Sequence, residues 1–142
     1  MEDRSGDGRP LVLFLSRRDA GRSQMAQGFF APLAGEHAMC WTGGSHPATH
    51  IEDAAVQAMA EQDIDISGED PKPWTDEIVR ASDIVVTMGS GDIGPNLPGI
   101  RYQDWDVADP DGLDLTEVRQ IRDDIESRVR ALLTQLTAPA EG

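Results

Sequence analysis

Five apolar residues without a polar break, Leu11-Val12-Leu13-Phe14-Leu15, open the patterned part of the chain. Such a run predicts a strand buried on both faces. Beyond it, Met25, Phe29 and Leu33 recur every four residues, with Ala26 and Phe30 beside them, and predict a first helix that packs on a core. Ala38 to Thr42 predicts a second strand, and Ala54, Ala55, Ala58, Met59 and Ala60 a modest apolar stripe on a helix from about Ile51 to Gln62. Thr75 is placed to cap a short third helix, Asp76 to Ala81, with acids in its first turn. Asp83 to Met88 is β-branched, apolar and bounded by turn residues, which predicts a strand, and Ile100-Arg101-Tyr102 predicts a short fourth one. In the last helix Val118, Ile121, Ile125, Val129, Leu132 and Leu136 step by three or four. Asp114 and Glu117 have capping-box spacing there, and Arg119–Asp123, Arg122–Glu126 and Asp124–Arg128 are spaced as i,i+4 pairs for its exposed side.

Strands alternating with helices imply an α/β fold, with a parallel sheet covered by helices on both faces. Ligands in such folds sit beyond the carboxyl ends of the strands. That gathers the loop from Ser16, the 43–47 loop, the Gly89–Pro95 loop and the Gln103–Gly112 loop around one mouth. Residues 11–136 are expected to form a single domain, with residues 1–10 a flexible tail and residues 137–142 a frayed end. Pro71-Lys72-Pro73-Trp74 is expected to be extended and stiff.

The 142 residues carry 26 acidic and 12 basic side chains, a formal net charge of −14. That argues against a nucleic-acid or anionic-membrane surface. With no long apolar span and no signal peptide, a cytoplasmic protein is expected. The one cysteine, Cys40, excludes an intramolecular disulfide and a cysteine metal cluster, and in an apolar strand it reads as a small buried hydrophobe. No cofactor or metal is expected.

Against this acidic background, residues 16–24 hold three arginines and one aspartate. Strand, tight loop and helix form the context in which backbone N–H groups and a helix N-terminus converge on an anion. Gly21 permits a turn that a side chain would resist, and Arg22, in the first helical turn, can fork onto two oxygens. Arg17, Arg18, Asp19, Ala20, Gly21, Arg22 and Ser23 are therefore candidate anion-binding residues. The plainer alternative is that Arg17 and Arg18 pair with surface carboxylates.

Ser16-x5-Arg22-Ser23, directly after the first strand, resembles the Cys-x5-Arg-Ser loop of low-molecular-weight tyrosine phosphatases and of the arsenate reductases that share their fold. Ala20-Gly21-Arg22-Ser23-Gln24-Met25-Ala26 is more similar to the arsenate reductase branch. Thr87-Met88-Gly89-Ser90-Gly91-Asp92 and Arg101-Tyr102-x-Asp104-Trp105 resemble its mycothiol- or thioredoxin-linked members. The resemblance implies a three-layer sandwich with a four-stranded parallel sheet, and an oxyanion such as phosphate or arsenate as ligand. It places Ser16, Arg22 and Asp109 at catalytic positions, because Asp109-Pro110 matches the family's Asp-Pro, whose aspartate is the general acid. Asp-Pro-Asp-Gly is also ordinary turn chemistry.

Three departures alter what the resemblance implies. Ser16 stands where the family has its nucleophilic cysteine. Ser90 and Gly94 stand where such sequences often carry thiols, and Asp19 stands where an asparagine is usual. A cysteine thiol, with an unperturbed pKa of about 8.5, ionises readily beside amides and arginine. A serine stays a neutral alcohol, needs a general base to attack, and has no redox chemistry. A carboxylate at Asp19 about 6 Å from a bound oxyanion costs about 3 kcal/mol at an effective dielectric of about 20, unless Arg17 or Arg18 neutralises it. His46 and His50 flank the mouth as bases or as solvated loop residues.

Four readings follow. The first is a diverged arsenate-reductase-like protein that binds a small anion without redox turnover. The second is a repurposed enzyme in which Ser16, Asp19, Arg22 and Asp109 do acid/base work, with Asp19 and Asp109 paired in split roles. In the third, Ser16 is an engineered cysteine-to-serine change. The fourth is an interaction protein whose partner the sequence does not name.

Overall fold

The computed structural model describes residues 9–89 and 97–137. Ser90, Gly94 and most of the Gly89–Pro95 loop, residues 1–8 of the N-terminal stretch and residues 138–142 lie outside them. The elements run β1 (Leu11–Ser16), α1 (Arg22–Ala34), β2 (Met39–Gly43), α2 (Asp53–Ala60), α3 (Asp76–Ala81), β3 (Ile84–Met88), β4 (Arg101–Trp105) and α4 (Leu115–Thr137). The four strands form one sheet in the order β2-β1-β3-β4, and every pair is parallel.

All six residues of β1 are buried, as its unbroken apolar run requires. Val12 and Phe14 face the larger core, built with α1, α2 and α4. Phe14 packs edge-on to Phe30 and tilted against Trp105, with ring centroids 5.5 and 5.8 Å apart. Leu13 and Leu15 face the opposite side, where Val79 of α3 and Val85 join Trp74, Ile78 and Tyr102. Helices thus cover both faces of a four-stranded parallel sheet, the three-layer arrangement expected from the sequence.

Several details differ from expectation. Leu33 is 41% exposed, so the apolar stripe of α1 stops at Phe30 and Ala34. Helix α2 is shorter than its stripe suggested, and β4 runs on through Gln103 to Trp105, so the loop after it begins at Asp106. On α4, Asp114 Oδ1 accepts from the Glu117 N–H at 3.0 Å, and Asp124 pairs with Arg128 at 2.9 Å, as the spacing predicted. Arg119 and Arg122 do not follow the pattern: both reach across to Glu61 after α2, at 2.7 and 2.8 Å. Arg122 is buried and also donates to the Ala58 carbonyl at 2.9 Å. A tertiary carboxylate wins here because α2 and α4 pack together. The cap on α3 is as expected, with the Ile78 N–H bound to Thr75 Oγ1 at 3.2 Å.

Strand order places a switch point between β1 and β3, because the chain leaves β1 for β2 on one side and returns to β3 on the other. A crevice beyond the carboxyl ends is the consequence. Ser16, paired in register with Met88, lies at its floor.

Candidate functional site: the loop from Ser16 to Ser23

The turn between β1 and α1 is held from outside by its carbonyls. Arg17 O accepts from the His46 N–H at 2.7 Å, Arg18 O from Ala48 at 2.9 Å and Ala20 O from Glu52 at 2.9 Å. Among the described residues all peptide bonds are trans. In a trans peptide the N–H opposes the preceding C=O, so the Arg18 and Gly21 amides point the other way, into the turn. The backbone of Gly44 closes in from the side of β2: a Cβ there would lie 2.7 Å from the Ser16 and Arg17 carbonyl oxygens.

Asp19 supplies the left-handed residue of the turn. Asp19 has φ 51°, in the left-handed region that aspartate tolerates better than most side chains. Gly21, at φ −138° and ψ −83°, is neither helical nor extended. What Gly21 supplies is room, since a Cβ would stand 2.8 Å from Pro110 and 3.3 Å from Glu52 Oε1.

Asp19 does not face the mouth. Its side chain is fully buried beneath the loop. Ser23 Oγ donates to its Oδ1 at 2.6 Å, and Gln24 Nε2 donates to the same oxygen at 3.1 Å. The Thr42 hydroxyl and the Lys72 N–H donate to Oδ2 at 3.1 and 3.0 Å, and Lys72 Nζ lies 3.7 Å away. Burial raises the Asp19 carboxyl above its ordinary value of 3.8. The Ser23 hydrogen bond, the Lys72 amide and charge, and Thr42 pull it back. The expected neutralisation by Arg17 or Arg18 is therefore made by Lys72 instead. Lys72 arrives on the stiff Pro-Lys-Pro segment, which Gly44 aligns by bonding its N–H to Lys72 O at 2.9 Å. The expected Asp19–Asp109 pair is not formed either, since the two carboxylates have different partners.

Ser16 ends β1, buried, with its Oγ 2.7 Å from Ser23 Oγ. Arg22 opens α1 and is 7% exposed. Its Nη1 donates to Val107 O at 3.2 Å, and its Nη2 lies 3.8 Å from Asp109 Oδ2. Gly89, at φ 95°, is the residue over which the guanidinium lies: a Cβ there would collide with it. The ends of β3 and β4 thus fix Arg22 from two sides. Asp109 is half-exposed and also accepts from the Asp111 N–H at 3.0 Å, so it is both a turn residue and a neighbour of Arg22. Arg17 and Arg18 are exposed on the rim, and Arg18 reaches Asp111 at 3.4 Å. Ala20 is buried beneath the turn.

His46 and His50 set their Nδ1 atoms against Ser45 Oγ and the Ile51 carbonyl, and what His46 gives the loop is its backbone N–H. Glu52 is a rim carboxylate that sequence reading passed over. Burial, then Asp111 and Asp109, raise its carboxyl above the usual value, while Arg18 and Arg22 oppose them. Cys40 is only half-buried, and the surrounding protein pushes its thiol up to about 12, away from reactivity. Among the described residues no group of three or more His, Cys, Asp or Glu is arranged to hold a metal ion. None of their helices is long and apolar enough to cross a membrane.

A parallel α/β sheet whose first strand feeds an amide-lined turn with a buried arginine is a phosphatase-type loop on a phosphatase-type fold. The chain belongs to the low molecular weight phosphotyrosine protein phosphatase family, whose model matches residues 11–141. Its relatives include a putative arsenate reductase of Halobacterium salinarum, 35% identical over 130 residues, 88% of this chain and 92% of that protein. A glutaredoxin arsenate reductase of Synechocystis is 32% identical over 131 residues, 89% of this chain and 98% of that one. Among solved structures, the thioredoxin-dependent arsenate reductase of Corynebacterium glutamicum superimposes with a TM-score of 0.81 at 36% identity, covering 94% of this chain and 66% of that chain. An arsenate reductase in its phosphate-binding state gives 0.80 at 29% identity, covering 90% of this chain and 99% of its own.

Proposed function

We infer that the chain is a diverged arsenate-reductase-like protein that keeps the anion-binding loop and has lost thiol chemistry. In this reading residues 11–136 form one domain, and Ser16 occupies the nucleophile's place. The inward amides of the loop and the Arg22 guanidinium hold a small oxyanion such as phosphate or arsenate, or the anionic group of a larger molecule. Asp109, beside Arg22, is the residue positioned to exchange a proton with whatever the anion carries. Arg17 and Arg18 add positive potential at the rim.

The observation that carries the reading is the coupling of Ser16, rather than a thiol, to a loop whose arginine is buried and fixed by Val107 and Gly89. Such a loop is preorganised for a tetrahedral anion. Without sulfur at position 16 there is no atom to carry the electrons of arsenate reduction. The burial of Asp19 on Lys72 supports the reading further, because it removes the uncompensated negative charge that would otherwise oppose an anion. The test is to assay arsenate reduction with a thiol reductant, and aryl-phosphate hydrolysis, for the natural chain and for Ser16→Cys. The expected outcome is no arsenate reduction by the natural chain and a gain of steady-state aryl-phosphate hydrolysis by Ser16→Cys. Arsenate reduction by the natural chain would overturn the reading.

A further inference from the structure

Glu52 reaches the entrance of the anion loop from α2. A Cβ on Gly21 would stand 2.8 Å from Pro110 Cγ and 3.3 Å from Glu52 Oε1. The Glu52 carboxyl therefore lies against the residue that leads into α1, on the side of the Asp109–Pro110 turn. Its backbone fixes it there, because the Glu52 N–H donates to Ala20 O at 2.9 Å. Glu52 is the N-cap residue of α2, yet its side chain makes no cap bond to that helix, and it is half-buried.

The charges around it do not balance. Arg18 and Arg22 face it from the turn after β1, and Asp109 and Asp111 from the turn after β4. Arg18 pairs with Asp111 at 3.4 Å and Arg22 with Asp109 at 3.8 Å, so each arginine already has a carboxylate. Glu52 is a third carboxylate facing two arginines. On its own segment its neighbours are His50 and Asp53, and Asp53 is exposed. Burial, then Asp111 and Asp109, hold the Glu52 carboxyl above its ordinary 4.5, against the pull of the arginines. An incoming oxyanion brings still more negative charge to the same place.

We propose that Glu52 selects what the anion loop accepts: its carboxylate takes up one proton as a tetrahedral oxyanion enters, so the loop binds the anion and a proton together. This rests on the anion-loop reading above and adds the charge state that the loop prefers. The proton comes from water, no bond of the anion breaks, and release of the anion returns the proton. A dianion is held tightly only with this proton, whereas a monoanion repels Glu52 less and depends on it less. The loop thus discriminates by charge as well as by shape.

The sign of the pH dependence follows. A bound anion raises the Glu52 carboxyl further, so affinity is lowest where Glu52 stays ionised in both states. It climbs as pH falls between the bound and the free values, by up to about tenfold per pH unit for one linked proton. It levels off below the free value, which itself lies above 4.5.

Sulfate is the probe, because it stays a dianion across this range and carries no proton of its own. Isothermal titration of the natural chain from about pH 7.5 to about pH 5 should show sulfate binding strengthen by about tenfold or more. Titration in buffers of different ionisation enthalpy, which needs no variant, should show proton uptake rising toward about one per sulfate. Glu52→Gln keeps the shape against Gly21 and the backbone bond to Ala20. At about pH 7.5 it should bind sulfate about tenfold more tightly than the natural chain, and it should lose most of the pH dependence. Imidazoles gain charge over the same range, so a chain carrying His46→Gln and His50→Gln is titrated alongside and should keep the dependence. Sulfate binding that is flat with pH, or without proton uptake, overturns the proposal and leaves the anion loop standing. So does a dependence that survives Glu52→Gln or vanishes in the histidine variant. If neither sulfate nor phosphate binds at any pH, the anion-loop reading falls and the proposal with it.

Discussion

Lys72 Nζ lies 3.7 Å from Asp19 Oδ2, although the two residues are 53 positions apart, and the Lys72 backbone N–H binds the same carboxylate oxygen. This contact joins the anion loop to the Pro71–Trp74 segment and gives a buried acid its counter-charge. Removing the ammonium should therefore act on the loop as well as on stability. Lys72→Met is expected to cost about 1–3 kcal/mol, since it leaves a buried carboxylate with hydrogen bonds but no cation. Combined with Asp19→Asn, the total should fall short of the sum of the two single losses, because the partners are in one network. Urea denaturation of the four proteins measures the coupling.

Gly89 is expected to be intolerant of any side chain. At φ 95° an L residue is strained, and its Cβ would displace the Arg22 guanidinium. Gly89→Ala should lower stability by about 1–3 kcal/mol and weaken phosphate binding in step with the displaced arginine. A melting curve and a phosphate titration on the same variant check both. Unchanged binding would show that Arg22 does not need this position.

The α2–α4 seam carries an acid-sensitive contribution. Arg119 and Arg122 pull the Glu61 carboxyl down from 4.5 to about 2. A carboxyl depressed in the folded state stabilises the fold above its unfolded value, and that stabilisation is lost as it protonates. Melting temperature should thus decline as pH falls from 4.5 toward about 2, and Glu61→Gln should remove that part of the decline. Melts across that range, with the variant alongside, decide it.

Much of the fold is legible because its signals are local. The unbroken run of β1, the β-branched run of β3 and the period of α4 each place an element without reference to the rest of the chain. The loop is legible for the same reason, since Ser16, Arg22 and Ser23 sit within one strand–turn–helix unit. What was not legible depends on pairing at a distance. Nothing near Asp19 says that its partner is Lys72, and nothing near Glu61 says that Arg119 and Arg122 will both reach it across the α2–α4 seam. Leu33 kept the apolar period of α1 yet is exposed. Asp19 takes the left-handed turn because its own hydrogen bonds, to Ser23 and to the distant Lys72, hold it there.

The most direct measurement is isothermal titration of the natural chain and of Arg22→Ala with inorganic phosphate and with arsenate. The account predicts one site per chain, in the micromolar to millimolar range, weakened about tenfold to a hundredfold when the guanidinium is removed. A natural chain that takes up neither anion, or an Arg22→Ala variant that binds as well as the natural one, would contradict it.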